Sequence, residues 1–264
     1  MQSGLYIVGT PIGNLSDMTP RAIQTLQEAD MIACEDTRVF GKLADKFDIR
    51  TKRIAMHDHN EKEIVKNLAD QIADGKAIAC VSDSGMPGIS DPGFPLVREC
   101  RERDLPVFVV PGATAVISAL VLSGFPTDRF TFCGFYKDEK HLRADNKIRH
   151  TIIYYESPNR VAETLADMAR IMPERKVAVV REITKIYEET VIGYPSELQA
   201  RSEWRGEIVI VVAPAPDIEM SESEINEIVR DVVKSCNGTK EAAAIIADRT
   251  GLSKSEAYEK VIKS

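Results

Sequence analysis

The sequence predicts an α/β protein of two domains, a parallel-sheet domain over residues 1–112 and a mixed-sheet domain over 113–216, with a helical segment over 217–264. Three observations lead there. Short β-rich apolar runs alternate with helix-period segments through the first ~110 residues, the pattern of a parallel sheet crossed by helices. After Pro111 strand-like runs crowd together, as in a mixed α+β layer. Ala213-Pro214-Ala215-Pro216 then reads as a linker, and only helix-period sequence follows it.

Leu5-Tyr6-Ile7-Val8 reads as a buried strand that enters the tight loop Gly9-Thr10-Pro11-Ile12-Gly13-Asn14. Thr19 then caps a helix with Pro20 at its first position and a stripe of Ala22, Ile23, Leu26 and Ala29. Met31 to Cys34 is a second strand, followed by a helix whose apolar face is Phe40, Leu43, Ala44 and Phe47. Asn60 with Glu63 forms a capping-box pattern for a helix that ends at Gly75. The runs Ala77 to Val81 and Val107 to Val110 read as further buried strands around a helix carrying Leu96, Val97 and Cys100.

In the second half a helix from about Ala113 to Leu122 ends at Gly124. Strands follow at Phe130 to Cys133, Thr151 to Tyr155, Val177 to Val180, Tyr187 to Ile192 and Glu207 to Val212, expected to pair as antiparallel hairpins. Helices are expected at Pro158 to Ile171, capped by Ser157, and near Ser196 to Arg201. The last segment holds helices near Ser221 to Ser235, Thr239 to Thr250 and Ser253 to Ile262, with a capping box at Ser253 and Glu256.

Composition narrows the function. The chain has 264 residues, Lys+Arg 34 against Asp+Glu 41 and a net charge of -7, with 44% hydrophobic residues, as in a soluble globular protein. Its longest mainly apolar run, Ala115 to Leu122, is about half of what a membrane span needs, and the N-terminus has no basic leader region. Five cysteines without a C-x-x-C pair read as reduced thiols of a cytoplasmic protein. The acidic balance disfavours generic nucleic-acid affinity, so such a partner needs a local basic patch.

Familiar nucleotide and hydrolase motifs fail. Pro11 and Asn14 stand where a dinucleotide fingerprint needs glycine, and there is no Walker loop, H-E-x-x-H or G-x-S-x-G. What remains are polar loops after buried strands, where open α/β sheets bind ligands. Ser82 to Gly93 is the richest, with three Gly, two Pro, two Asp and three Ser that allow close backbone approach and directed polar contacts. Pro111-Gly112-Ala113-Thr114 opens a helix whose backbone donors face outward past small side chains that permit close approach, and a plain helix start is an equal reading. Glu35-Asp36-Thr37-Arg38 puts two carboxylates and a guanidinium at a strand end, although Asp36 serves equally as a helix cap. His57 and His59 share a face if extended, but no third metal ligand has matching spacing, so no metal is expected. Glu156 to Arg160 and Arg181 to Lys185 are charged strand exits, and a solvated face accounts for each alone. Together these loops suggest a charged cleft between the two halves.

Taken in order, the segments Leu5 to Leu15, Ala33 to Arg38, Val81 to Gly93, Pro111 to Thr114, Tyr155 to Arg160 and Arg181 to Lys185 resemble the signature segments of the small-subunit rRNA methyltransferases of the tetrapyrrole methylase superfamily. The resemblance implies two α/β domains of the tetrapyrrole methylase type with S-adenosylmethionine in the cleft between them, usually as a homodimer. It implies methyl transfer to the ribose 2′-hydroxyl of a cytidine in the decoding region of 16S rRNA, in the small ribosomal subunit. By motif, the cofactor contacts are Pro11, Asp83, Ser84, Ile89, Ser90, Thr114, Tyr155, Glu156 and Thr184. The substrate-side and catalytic residues are Glu35, Asp36, Arg38, Arg160 and Lys185. Where the family has Gly-Phe-Leu-Pro, this chain has Gly134-Phe135-Tyr136-Lys137.

Two stretches have a local basic excess. Residues 137–150 hold five Lys/Arg against three Asp/Glu, and residues 234–263 hold six against four, where a solvated helical face is an equal reading. Two other readings stay open: a methyltransferase for a corrin-type tetrapyrrole or other small acceptor, and a noncatalytic module that binds S-adenosylmethionine or RNA during ribosome assembly.

Overall fold

A computed structural model describes residues 1–56, 61–201, 203–216, 222–236 and 238–263. Residues 1–214 make one compact unit and residues 215–264 a second. The first sheet of the larger unit holds β1 (Gly4–Val8), β2 (Met31–Cys34), β3 (Arg53–Ala55), β4 (Ala77–Cys80) and β5 (Val107–Val110). Their spatial order is β3-β2-β4-β1-β5, with every pairing parallel. Helices α1 (Pro20–Glu28) and α2 (Thr37–Lys46) cover one face, and α3 (Glu61–Ala73) and α4 (Phe94–Glu102) cover the other. Strands buried on both faces are apolar throughout, as Met31–Cys34 and Ala77–Cys80 are.

The caps of this half follow the sequence. Thr19 Oγ1 accepts from the Ala22 N–H at 3.1 Å, and Asp36 Oδ1 accepts from the Arg38 N–H at 2.7 Å. The run Val107–Val110 departs from expectation: it lies at the sheet edge, and Val109 is 57% exposed rather than buried. The His57 and His59 pair and the cap expected at Asn60 lie outside the described residues.

The second sheet comes from the chain after α5 (Ala115–Ser123). It is laid down as β6 (Phe130–Phe135), α6 (Glu139–Asp145), β7 (Thr151–Glu156), α7 (Val161–Ile171), β8 (Val177–Arg181), β9 (Glu189–Gly193), α8 (Pro195–Leu198) and β10 (Ile208–Val212). The spatial order is β6-β7-β10-β8-β9. Helix α5 packs on one face through Val116, Ala119 and Leu120, and α6, α7 and α8 pack on the other through Leu142, Leu165, Met168 and Leu198. Ile12, from the loop after β1, belongs to the α5-side core and ties the two sheets together.

Two expectations are corrected here. β6 and β7 pair in parallel rather than as a hairpin, because α6 carries the chain back to the same end; β8 and β9 do form a hairpin. Helix α7 begins at Val161, three residues later than the Ser157 cap implied. Residues 157–160 instead form a turn, closed by Arg160 N–H donating to Ser157 O at 2.9 Å.

The second unit consists of α9 (Glu222–Ser235), α10 (Thr239–Thr250) and α11 (Lys254–Lys263), packed through Val229, Val232, Ala243, Ile246 and Ala257. Its capping box is reciprocal: Ser253 N–H donates to Glu256 Oε2 at 2.9 Å, and Glu256 N–H donates to Ser253 Oγ at 3.2 Å. All five cysteines are free thiols, and Cys34, Cys80 and Cys100 are buried.

Candidate active site

β1 and β4 are neighbours, yet their connections leave in opposite directions, one passing β4 to reach β2 and the other passing β1 to reach β5. Ligand crevices open at such switch points, at the carboxyl ends of the strands. Two loops rim this one and are stapled together, since Thr10 N–H donates to Gly85 O at 2.9 Å and Thr10 Oγ1 lies 3.4 Å from Ser82 O. A third, after β5, is pressed against the first. A Cβ on Gly112 would lie 2.8 Å from Gly9 Cα, so these backbones meet only because neither residue has a side chain.

The resulting cleft has a volume of about 370 Å³ and takes walls from both sheets. Ser84, Ile89, Ser90 and Asp91 come from the loop after β4, Thr114 from the start of α5, and Tyr155 and Glu156 from the end of β7. Ile12, Phe135, Ile183 and Val209 make the remaining wall largely apolar. Tyr155 is fixed edge-on against Phe132 and Phe135, with ring centroids 4.9 and 5.4 Å away. Burial pushes its hydroxyl up to about 12. Glu156 is buried, and its carboxylate accepts from the Thr164 hydroxyl at 2.5 Å and from the Ser157 N–H at 2.7 Å. Burial also pushes the Asp91 carboxyl up to about 6 and raises that of Asp83.

A second, more open cleft of about 440 Å³ adjoins the first and shares Ile12, Ser84 and Glu207 with it. Pro11, Gly13, Asp83 and Lys185 form one side, and α2 forms the other. Lys185 Nζ donates to Glu182 Oε1 at 2.9 Å and to Glu207 Oε2 at 2.8 Å. Burial works against its charge, but these two carboxylates outweigh burial and raise its pKa. A Cβ on Gly13 would fall 2.6 Å from Lys185 Cε, so the lysine stem lies directly on that backbone.

Six of the expected cofactor residues, Ser84, Ile89, Ser90, Thr114, Tyr155 and Glu156, line the first cleft. Pro11 and Asp83 line the second. Thr184 stands outside both walls, held at φ 68°, with its Oγ1 buried and without a hydrogen-bond partner. Of the substrate-side residues, Lys185 lines the second cleft. Asp36 lies beside it, with its N–H donating to Asp83 Oδ1 at 3.3 Å. The Arg38 guanidinium donates to both Asp36 oxygens, at 3.1 and 2.7 Å, and holds that carboxyl well below the usual carboxylate range. Glu35 follows β2 outside the cleft walls. Arg160 also stands outside them, donating to Tyr136 O and Lys137 O at 3.3 and 2.9 Å with its guanidinium over the Tyr136 ring.

Sequence reasoning missed Phe135, Ile183, Glu207 and Val209 in the first cleft, and Val39, Lys42 and Lys46 in the second. Asp91 sat inside the glycine-rich loop without being singled out. For the α2 lysines the available signal was their i, i+4 spacing.

The fold, with its cleft at the switch point, has counterparts among solved structures. The fold matches the crystal structure of uroporphyrin-III C-methyltransferase from Thermus thermophilus in complex with S-adenosyl homocysteine, with a TM-score of 0.56 and 21% identity over 80% of this chain and 97% of that one. It matches diphthine synthase with a TM-score of 0.61 and 10% identity over 80% and 89%. Residues 4–199 match the tetrapyrrole (corrin/porphyrin) methylase profile, and the chain belongs to that family of S-adenosylmethionine-dependent methyltransferases. It is 46% identical over 211 residues to ribosomal RNA small subunit methyltransferase I of Halalkalibacterium halodurans, spanning 78% of this chain and 72% of that protein. The Synechocystis protein of the same name is 40% identical over 271 residues, spanning 97% and 96%.

The residues present fit the cofactor. The cleft volume falls within the ~300–1,000 Å³ usual for small-molecule sites. Apolar walls suit a flat base and the Asp91 carboxylate suits a cation, while the buried Thr184 hydroxyl, next to Ile183 of the wall, is a donor without an acceptor among the described residues although it stands outside the wall itself.

Proposed function

We propose that the protein methylates the ribose 2′-hydroxyl of a cytidine in the decoding region of 16S rRNA, in the small ribosomal subunit. The observation that carries this reading is the pair of adjoining clefts: an apolar one with carboxylates, and an open one lined by lysines that suits a phosphate-bearing acceptor. The names of the relatives support it, and the Synechocystis protein among them matches over 97% of this chain.

S-adenosylmethionine, when bound, supplies an electrophilic methyl group on a sulfonium. Ser84, Ile89, Ser90, Thr114, Tyr155 and Glu156, which line the first cleft, would hold it, with Pro11, Asp83 and Thr184 at the margin. The chain's main task is then to hold the ribose oxygen in line for attack. Asp36, which its bond to Arg38 keeps ionised, orients the guanidinium rather than taking a proton. Of the two carboxylates after β2, Glu35 is the one left to accept the hydroxyl proton, from the margin of the clefts, and Lys185 and Arg38 stabilise the charge that develops on the ribose oxygen and the neighbouring phosphate. Arg160 acts by position, fixing the chain exit at Tyr136 and Lys137 beside Phe135 of the cleft wall. The division at residues 112 and 113 marks two lobes in this reading, and the protein works in the cytoplasm as a homodimer, with the exposed β5 edge as a candidate contact.

The test is incubation with labelled S-adenosylmethionine and, in separate reactions, small subunits that lack the modification or a corrin-type tetrapyrrole, followed by mapping of the label. One 2′-O-methylcytidine in the decoding region is expected. Label on a tetrapyrrole alone would support the small-acceptor reading, and no transfer at all would support the noncatalytic one.

A further inference from the structure

Helix α2 runs along the second cleft and contributes Val39, Lys42, Leu43 and Lys46 to its wall. Arg38, Lys42 and Lys46 follow one another at intervals of four, each about 6 Å further along the axis and turned by about 40°, so the three cations form one stripe. Ala44 is buried on the opposite side of the helix and Phe40 is buried at the base of the cleft wall, which leaves this stripe outward. Charge matching differs along it. Arg38 is paired with Asp36, and Lys185 across the cleft is paired with Glu182 and Glu207, whereas no carboxylate among the described residues lies within ion-pair distance of Lys42 or Lys46. Leu15 and Val39, 44% and 42% exposed, put apolar surface next to these free ammonium groups.

We infer that this face of α2 is a phosphate rail for a single-stranded RNA segment, with Lys42 and Lys46 on successive phosphates and Leu15 and Val39 against its bases. The rail leads the strand toward Ser84 and Glu207, the walls shared with the cofactor cleft. Evenly spaced cations in a row match a strand that carries one charge per phosphate, whereas a compact polycarboxylate calls for converging ones. The inference rests on the rRNA reading above and assigns residues to its acceptor side.

The test uses the full chain with Lys42→Ala and Lys46→Ala combined, and small subunits lacking the methyl group. The KM for subunits is expected to rise on the order of tenfold, with kcat within about twofold. Affinity for S-adenosylhomocysteine is expected to stay unchanged, which reports an intact fold and cofactor cleft. The slope of log affinity against log salt should become shallower by about 1.4, or ~0.7 for each phosphate that no longer has its lysine. Lys42→Arg with Lys46→Arg should restore both. An unchanged KM and salt slope in the alanine variant overturns the inference while leaving the rRNA reading intact, provided the parent methylates subunits. A parent that methylates no subunits defeats that reading itself. A tetrapyrrole whose KM alone rises in the variant overturns the inference in favour of a polycarboxylate acceptor.

Discussion

Burial pushes the Asp91 carboxyl up to about 6, with the nearby Asp83 charge adding to the rise and a hydrogen bond from Ser82 opposing it. An unfolded aspartate titrates near 3.9. Between ~4 and ~6 the folded chain therefore holds more of this proton than the unfolded chain, and stability should fall as pH rises through that window. Binding of a cation should show the opposite trend, because only the ionised carboxylate attracts it. Titration calorimetry should find S-adenosylmethionine affinity increasing from pH 5 to pH 7. Asp91→Asn should flatten both this dependence and the stability slope. A variant that keeps the parent's pH profile would show that Asp91 faces neither process. The neighbouring Glu156 has a different part: its carboxylate accepts from the Thr164 hydroxyl and the Ser157 N–H and fixes the end of β7.

At the scale of elements, the site depends on loops that cross without side chains. Gly112 has no positive φ to protect, so Gly112→Ala isolates the steric term: its Cβ would meet the Gly9 backbone at 2.8 Å. A loss of about 1–3 kcal/mol is expected by chemical denaturation. The accompanying displacement of the loop after β1 should weaken S-adenosylhomocysteine binding, and a variant of parental stability and affinity would show that the loops separate freely. Such loops were legible in the sequence because glycine and proline punctuate the ends of strands buried on both faces, as after Ala77–Cys80. β3 was not legible, being three residues long and opening on an exposed Arg53. Helix α6 was hidden because Leu142 is its one buried side chain, so its charges read as a basic patch. The start of α7 was misplaced because Ser157-Pro158 has the form of a cap, whereas here those residues serve the turn after Glu156. Six cofactor-wall residues came from local motifs. The α2 lysines did not, because a surface lysine acquires meaning only from what lies across the cleft from it.

For the whole molecule, the net charge of -7 says that affinity for RNA has to come from local positive surface, and the charge is unevenly spread. Within the second unit, residues 234–263 hold six Lys/Arg against four Asp/Glu, while α9 opens with Glu222 and Glu224. The larger unit contains both sheets and both clefts, and among the described residues its four core clusters are made of residues before Pro214. A chain of residues 1–214 should therefore fold cooperatively and bind S-adenosylhomocysteine within about twofold of the full chain, since every residue assigned to the cofactor lies within it. If residues 234–263 touch phosphates, the same truncation should raise the KM for small subunits, leave kcat nearly unchanged, and make the salt dependence shallower by ~0.7–0.9 for each phosphate left without a cation. Calorimetry and steady-state kinetics at two salt concentrations separate these effects. Parental KM and salt slope in the 1–214 chain would assign all RNA binding to the unit that carries α2 and Lys185, and the C-terminal helices would then be a small domain whose surface lysines face only water.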